Sequence, residues 1–153
     1  MAQAHENRRK DGVSPQTDEL SSALMGHAFD VLAAGDSMGV LLVVGDAQGQ
    51  VASYEFADDG QVALIKGAKD AVGRLVRQAG DKDAGLGAPV RYALAYEGAV
   101  ADEDDSYQDA LLLEFGEKGY KSYSAYSYVK GKGEGDRFAW TDPAPAGEVG
   151  PLL

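Results

Sequence analysis

The sequence predicts an α+β domain: two helices packed on a mainly antiparallel five- to six-stranded sheet, in the order α-β-β-α-β-β-β with a further short strand at the end. Three observations predict it. Positions 90, 92, 94 and 96 are Val, Tyr, Leu and Tyr, interleaved with Arg91, Ala93, Ala95 and Glu97, the period-2 pattern of a half-buried strand. Two earlier segments carry apolar residues at helical spacing. The strand-like runs are joined by short connectors rich in glycine and acid, which suits antiparallel neighbours.

Residues 1–16 are polar, end in Ser14-Pro15-Gln16, and read as a tail outside the core. From Thr17 or Asp18, residues Leu20, Leu24, His27, Ala28, Val31 and Leu32 recur at helical spacing as far as Gly35, with Asp18 and Glu19 in the first turn where the helix dipole favours them. Residues 40–44, apolar on both faces and hence central in a sheet, form a hairpin with residues 50–56 across Gly45-Asp46-Ala47-Gln48-Gly49. A second helix follows over 61–78, with Leu64, Ile65, Ala68, Ala71, Val72, Leu75 and Val76 as its buried stripe. Runs 90–100, 108–115 and 120–129 make an antiparallel meander, and Arg137-Phe138-Ala139-Trp140 suits a last short strand. The expected domain is 17–141, with 142–153 a Pro/Gly-rich tail.

Alternation also sorts the strand residues into faces. We expect Tyr92, Leu94, Leu111, Leu113 and Phe115 beneath the two helices, which leaves Leu41, Val43, Ala93, Ala95, Ala110 and Leu112 on the other face. Small to medium apolar side chains ringed by Glu55, Arg91, Glu97 and Glu114 suit a contact surface, so Leu41, Val43, Ala93, Ala95 and Leu112 are the candidate dimer interface. The competing arrangement has one helix on each side of the sheet and makes that face a second core layer.

The chain has 153 residues, enough for one domain with a real core. It has no cysteine, so disulfides, thiolate zinc sites and thiol redox chemistry are excluded. Twenty-five acidic against 14 basic residues give a net charge of −11, which opposes nucleic-acid and anionic-membrane binding. The first ten residues lack the apolar stretch of a secretory signal, and no segment approaches the roughly 20 apolar residues of a membrane span. A cytoplasmic protein is expected.

Chemistry-bearing motifs are few. Gly35-Asp36-Ser37-Met38-Gly39 matches the G-x-S-x-G of hydrolases, but that elbow needs a strand before the serine and a helix after it, the reverse of the order here. Only His5 and His27 exist to serve as base, the second on the apolar stripe of the first helix, where a core-edge role is expected. Asp102-Glu103-Asp104-Asp105 offers oxygen ligands, but an EF-hand counted from Asp102 would need glycine at Tyr107 and glutamate at Leu113. Gly131, Gly133 and Gly135 with Lys130 and Lys132 lack the Walker spacing and read as a flexible loop. No metal and no cofactor are expected. The meander is rich in tyrosine, and Tyr96, Tyr123 and Tyr126 are the candidates for a small-molecule pocket.

The strings Arg91-Tyr92-Ala93-Leu94-Ala95-Tyr96-Glu97-Gly98 and Asp109-Ala110-Leu111-Leu112-Leu113-Glu114 resemble a hairpin of small bacterial proteins that carry no assigned function. The element order separately resembles roadblock-type and profilin-like domains, which implies a binding or dimerising module. The expected function is therefore a non-enzymatic protein-interaction or dimerisation domain. A small-molecule sensor is the alternative, and a hydrolase using Ser37 comes third.

Overall fold

A computed structural model describes residues 8–153. Its elements are α1 (Pro15–Ala34), β1 (Val40–Asp46), β2 (Val51–Phe56), α2 (Gln61–Arg77), β3 (Pro89–Ala101), β4 (Tyr107–Glu117), β5 (Ser122–Lys130), β6 (Ala139–Trp140) and β7 (Ala144–Val149), with a single 3-10 turn, Gly135–Arg137, before β6. The pairings are antiparallel and the sheet runs β2-β1-β3-β4-β5, with β6 and β7 both paired to β5. The predicted α+β class and element order are those observed.

The helices lie on opposite faces. Helix α1 packs on β1, β3 and β4, over a layer built from Leu20, Leu24, Ala28, Phe29 and Leu32 against Leu41, Val43, Ala93, Ala95, Leu111 and Leu113. Helix α2 packs on β1, β2 and β3, where Ala68, Ala71, Val72 and Leu75 meet Val40, Leu42, Val44, Ala52, Tyr92 and Leu94. Every residue of β1 is buried because both layers use it. Its position beside the edge strand does not weaken that, since helices rather than strands cover its two faces.

This arrangement corrects the expected faces. Alternation along one strand says which residues share its face, but not which face of the next strand joins them. The β3–β4 register pairs Ala93 with Phe115, Leu94 with Glu114 and Ala95 with Leu113. Residues paired directly across a ladder lie on one face. Tyr92 and Leu94 therefore face α2, while Leu111, Leu113 and Phe115 face α1 together with Ala93 and Ala95. Leu94 and Leu113 are both in the core, 0% and 3% exposed, on opposite sides of the sheet.

Both expected tails also change. Of the segment 1–16, residues 1–7 lie outside the described residues, whereas Lys10 bridges Tyr120: its amide donates to the Gly119 carbonyl and its carbonyl accepts from the Lys121 amide, both at 2.9 Å. Ser14 caps α1 by accepting from the Thr17 amide (3.2 Å), and Pro15 opens the helix. At the other end residues 144–149 form β7 along β5, and Leu152 and Leu153 pack against the α2 layer. Neither segment shows apolar periodicity, because each is held by backbone pairing or by one or two side chains.

Candidate functional site

The candidate interface divides between the two faces. Leu41, Val43, Ala93 and Ala95 are 4%, 9%, 0% and 0% exposed beneath α1, so they form a core layer and not an open surface. Leu112 faces the other way, opposite Tyr96 on β3 and Tyr126 on β5. It is half-buried and lies across Gly98, where any Cβ would collide with it.

Around Leu112 the sheet extends past the reach of α2. Helix α2 lies over β1–β3, and beyond it β4, β5 and β7 present Leu112, Tyr126, Tyr128 and Ala144, all half-buried. Tyr126 and Tyr128 meet edge to face at 5.2 Å between ring centres. Tyr128 also donates from its hydroxyl to the Ala101 carbonyl (3.0 Å), which ties the acidic loop to the strip.

At the boundary between the covered and open parts sits a charged cluster around Glu114, a residue expected at the rim of the interface. Glu114, 6% exposed, accepts from the Tyr96 hydroxyl (2.8 Å) and pairs with Lys69 of α2 at 3.1 Å. The Tyr96 hydroxyl is held well above its ordinary range, first by burial and then by the hydrogen bond and charge of Glu114. A buried carboxylate needs such partners to offset its lost hydration. Nearby, Tyr92 is fully buried, and burial raises the pKa of its hydroxyl. The signal was present in the sequence as Glu114 within an apolar strand, but only the register shows that it points toward a helix carrying Lys69.

The three candidate pocket tyrosines do not converge. Tyr96 and Tyr126 share the α2 face, whereas Tyr123 pairs with Phe115 on the α1 face, accepts from the Gly12 amide (2.9 Å) and lines a cavity of ≈590 Å³ with Val13, Pro143 and Pro145. Ser37 is exposed in the turn between α1 and β1. That turn is shaped by Gly35, the left-handed cap of α1, and by Gly39 at φ +62°, where a side chain would strike the Phe56 carbonyl. His27, expected at the core edge, is instead exposed on α1.

The remaining motifs are built into turns. Asp102 accepts from the amides of Asp104 (2.9 Å) and Ser106 (3.1 Å) and from Gln108 Nε2 (2.9 Å), and these bonds, Gln108 first, hold its pKa below the usual carboxylate value against the opposing effect of burial. Among the described residues no three His, Asp or Glu side chains are grouped as a metal site would need. The glycine-rich loop is anchored where a flexible loop was expected: the Gly133 amide donates to the Leu32 carbonyl at the end of α1 (2.9 Å), and Lys132 pairs with Glu97 at 2.9 Å. No helix among the described residues is long and apolar enough to cross a membrane.

No protein-family model, curated protein or solved structure matches this chain. What the molecule itself defines is an α+β domain with one helix on each face of a single sheet and, beyond α2, a strip of sheet that no helix covers.

Proposed function

We propose that this chain is a non-enzymatic interaction domain that associates with a second copy of itself through the strip Leu112, Tyr126 and Tyr128 on the α2 face. The observation that carries this reading is the mismatch between helix and sheet: α2 covers three strands and leaves apolar and aromatic side chains half-exposed on the next two. Tyrosine and leucine beside a charged border are what the centre and rim of an interface present. The site differs from the one expected from sequence and keeps only Leu112 of it. The net charge of −11 repels at long range, but at physiological salt the Debye length is about 8 Å, so contact is decided locally.

Light scattering in physiological salt, from micromolar to high micromolar protein, tests it. The expected result is a dimer that becomes a folded monomer in Leu112→Lys. A protein that stays monomeric throughout that range, or a dimer indifferent to Leu112→Lys, overturns the reading.

A further inference from the structure

On the opposite face and at the opposite edge of the sheet, β2 ends the strand order and no described residue pairs with its outer side. The Asp46 amide donates to the Gln50 carbonyl at 2.9 Å, which fixes the phase of the β1–β2 ladder. In an antiparallel ladder, bonded and non-bonded pairs alternate. Counting from Asp46–Gln50 along the register, Ala52, Tyr54 and Phe56 exchange bonds with β1, whereas Val51, Ser53 and Glu55 turn their amides and carbonyls outward. The side chains of those three residues lie on the α1 face, opposite Gly45, Val43 and Leu41, and all three are exposed, Val51 by 52%.

Helix α1 does not reach this edge, and a trench runs between them. One part, ≈440 Å³, is walled by Leu20, Ala23, Leu24 and His27 and floored by Leu41 and Val43; a second, ≈320 Å³, continues it past Glu19 and Gly49. An apolar trench beside three outward-facing backbone units is what strand addition uses: the main chain supplies affinity and alternate side chains fill the groove. We propose that this edge receives an extended segment of another protein, added as a strand to β2, with alternate aliphatic side chains in the trench and basic residues at its ends.

Charge selects that occupant. Glu19 lines one end of the trench and Glu55 the other, on a chain of net charge −11. Arg91, which also lines it, is already engaged by Glu117 (3.5 Å) and by the Asp46 carbonyl (3.0 Å). A second copy of this chain fits poorly, because two β2 strands paired antiparallel about Ser53 would set Val51 against Glu55 and place only serines in the middle of the trench. The site is separate from the Leu112 strip and does not depend on it.

The test uses fluorescence anisotropy with the labelled peptide Lys-Thr-Val-Thr-Val-Thr-Val-Thr-Lys, whose lysines share the face of its valines, and with Lys-Thr-Gly-Thr-Gly-Thr-Gly-Thr-Lys as the probe of equal charge. Two variants of the full chain block the site differently. Ser53→Pro removes an outward amide without touching a bond to β1, and Ala23→Trp fills the trench from an exposed helix position. Saturable binding of the valine peptide, weakened about tenfold or more by each folded variant and absent for the glycine peptide, is expected; tenfold corresponds to about 1.4 kcal/mol. No saturable binding, equal binding of the glycine peptide, or binding that survives Ala23→Trp overturns the proposal. A dimer that Ser53→Pro dissociates while Leu112→Lys leaves it intact would give the edge to a second copy and overturn it as well.

Discussion

The two helical layers use the same sheet in different ways. Over β4 and β5 the α1 layer is closed by hydrocarbon: Phe29 of the helix stacks on Trp140 at 4.7 Å and packs against Phe138 at 6.0 Å, so the end of the chain past β5 folds back as a lid, and the layer is open at the β2 edge. The α2 layer has no such lid over β4 and β5. It carries Lys69, Glu114 and Tyr96 where the helix stops, and open tyrosines beyond. The difference follows from what each helix can reach. A helix about 10 Å across covers two or three strands spaced about 4.8 Å apart, so a sheet wider than that needs further covering elements or keeps an open side. On the α1 side β6 and its flanking turn supply the cover, and on the α2 side Leu152 and Leu153 supply only part of it.

Substitutions in the two regions should separate accordingly. Phe138→Ala removes the centre of the α1 lid and should cost about 3–5 kcal/mol in denaturant unfolding; a loss below about 0.5 kcal/mol, as at exposed positions, would mean that the layer is sealed without it. Lys69→Met leaves the Glu114 carboxylate with Tyr96 as its remaining polar partner and should cost about 1.5–3 kcal/mol, the range for hydrogen bonds to charged groups. Glu114→Gln should cost less, because half-exposed Lys69 turns to water. The reverse order would show that the charge is carried by the helix side of the pair.

Glu117 joins the start of α1 to the sheet and gives that layer its own pH signature. Burial raises its pKa, but hydrogen bonds from Ser14 (2.5 Å) and Thr17 (2.7 Å), with Arg91 at 3.5 Å, outweigh burial and hold it below the ordinary 4.5. A carboxyl with a depressed folded-state pKa stabilises above its unfolded value and loses that contribution as pH falls through the folded one. Melts recorded from about pH 7 to about pH 3 should therefore show Glu117→Gln less stable than wild type at neutral pH and converging with it in acid. Parallel pH curves for the two proteins would remove Glu117 from that role. A chain beginning at Thr17 loses the Ser14 cap as well and should melt lower, since a cap contributes about 1 kcal/mol.

The smallest effect belongs to the open strip. Tyr126→Ala loses the edge contact with Tyr128 and should cost about 0.5–1.5 kcal/mol, while weakening self-association. A loss as large as that of Phe138→Ala would mean that the strip is core in the protein as it exists in solution.

Some of this was legible in residues and some was not. Both helices, the first hairpin and the meander were readable because apolar spacing at 3.6 and 2 reflects local geometry that one segment dictates by itself. The predicted run 90–100 lies within β3 (Pro89–Ala101), and the hairpin turn held by Asp46 lies where turn chemistry placed it. The β7 strand was not readable: Ala144–Val149 contains proline and glycine and owes its form to pairing with Ser122–Tyr126. The same holds for Lys10, which bridges Tyr120 in the β4–β5 turn, and for Ser14, which donates to Glu117 at the end of β4.

Residue spacing was enough for the element order, for most of the two buried stripes and for the placement of Ser37 in a turn after a helix, because these depend on local backbone preferences and nearest-neighbour periodicity; Val76 and His27, which the same spacing put on the stripes, are exposed at their margins. Tertiary structure alone decided that Leu41, Val43, Ala93 and Ala95 lie under a helix, that Leu112 lies on the other face with Tyr96 and Tyr126, and that Glu114 meets Lys69. Face assignment depends on the parity of the strand register and on which side of the sheet each helix returns to, and shifting a ladder by one residue moves every side chain to the other side. Neither quantity is written in any one segment.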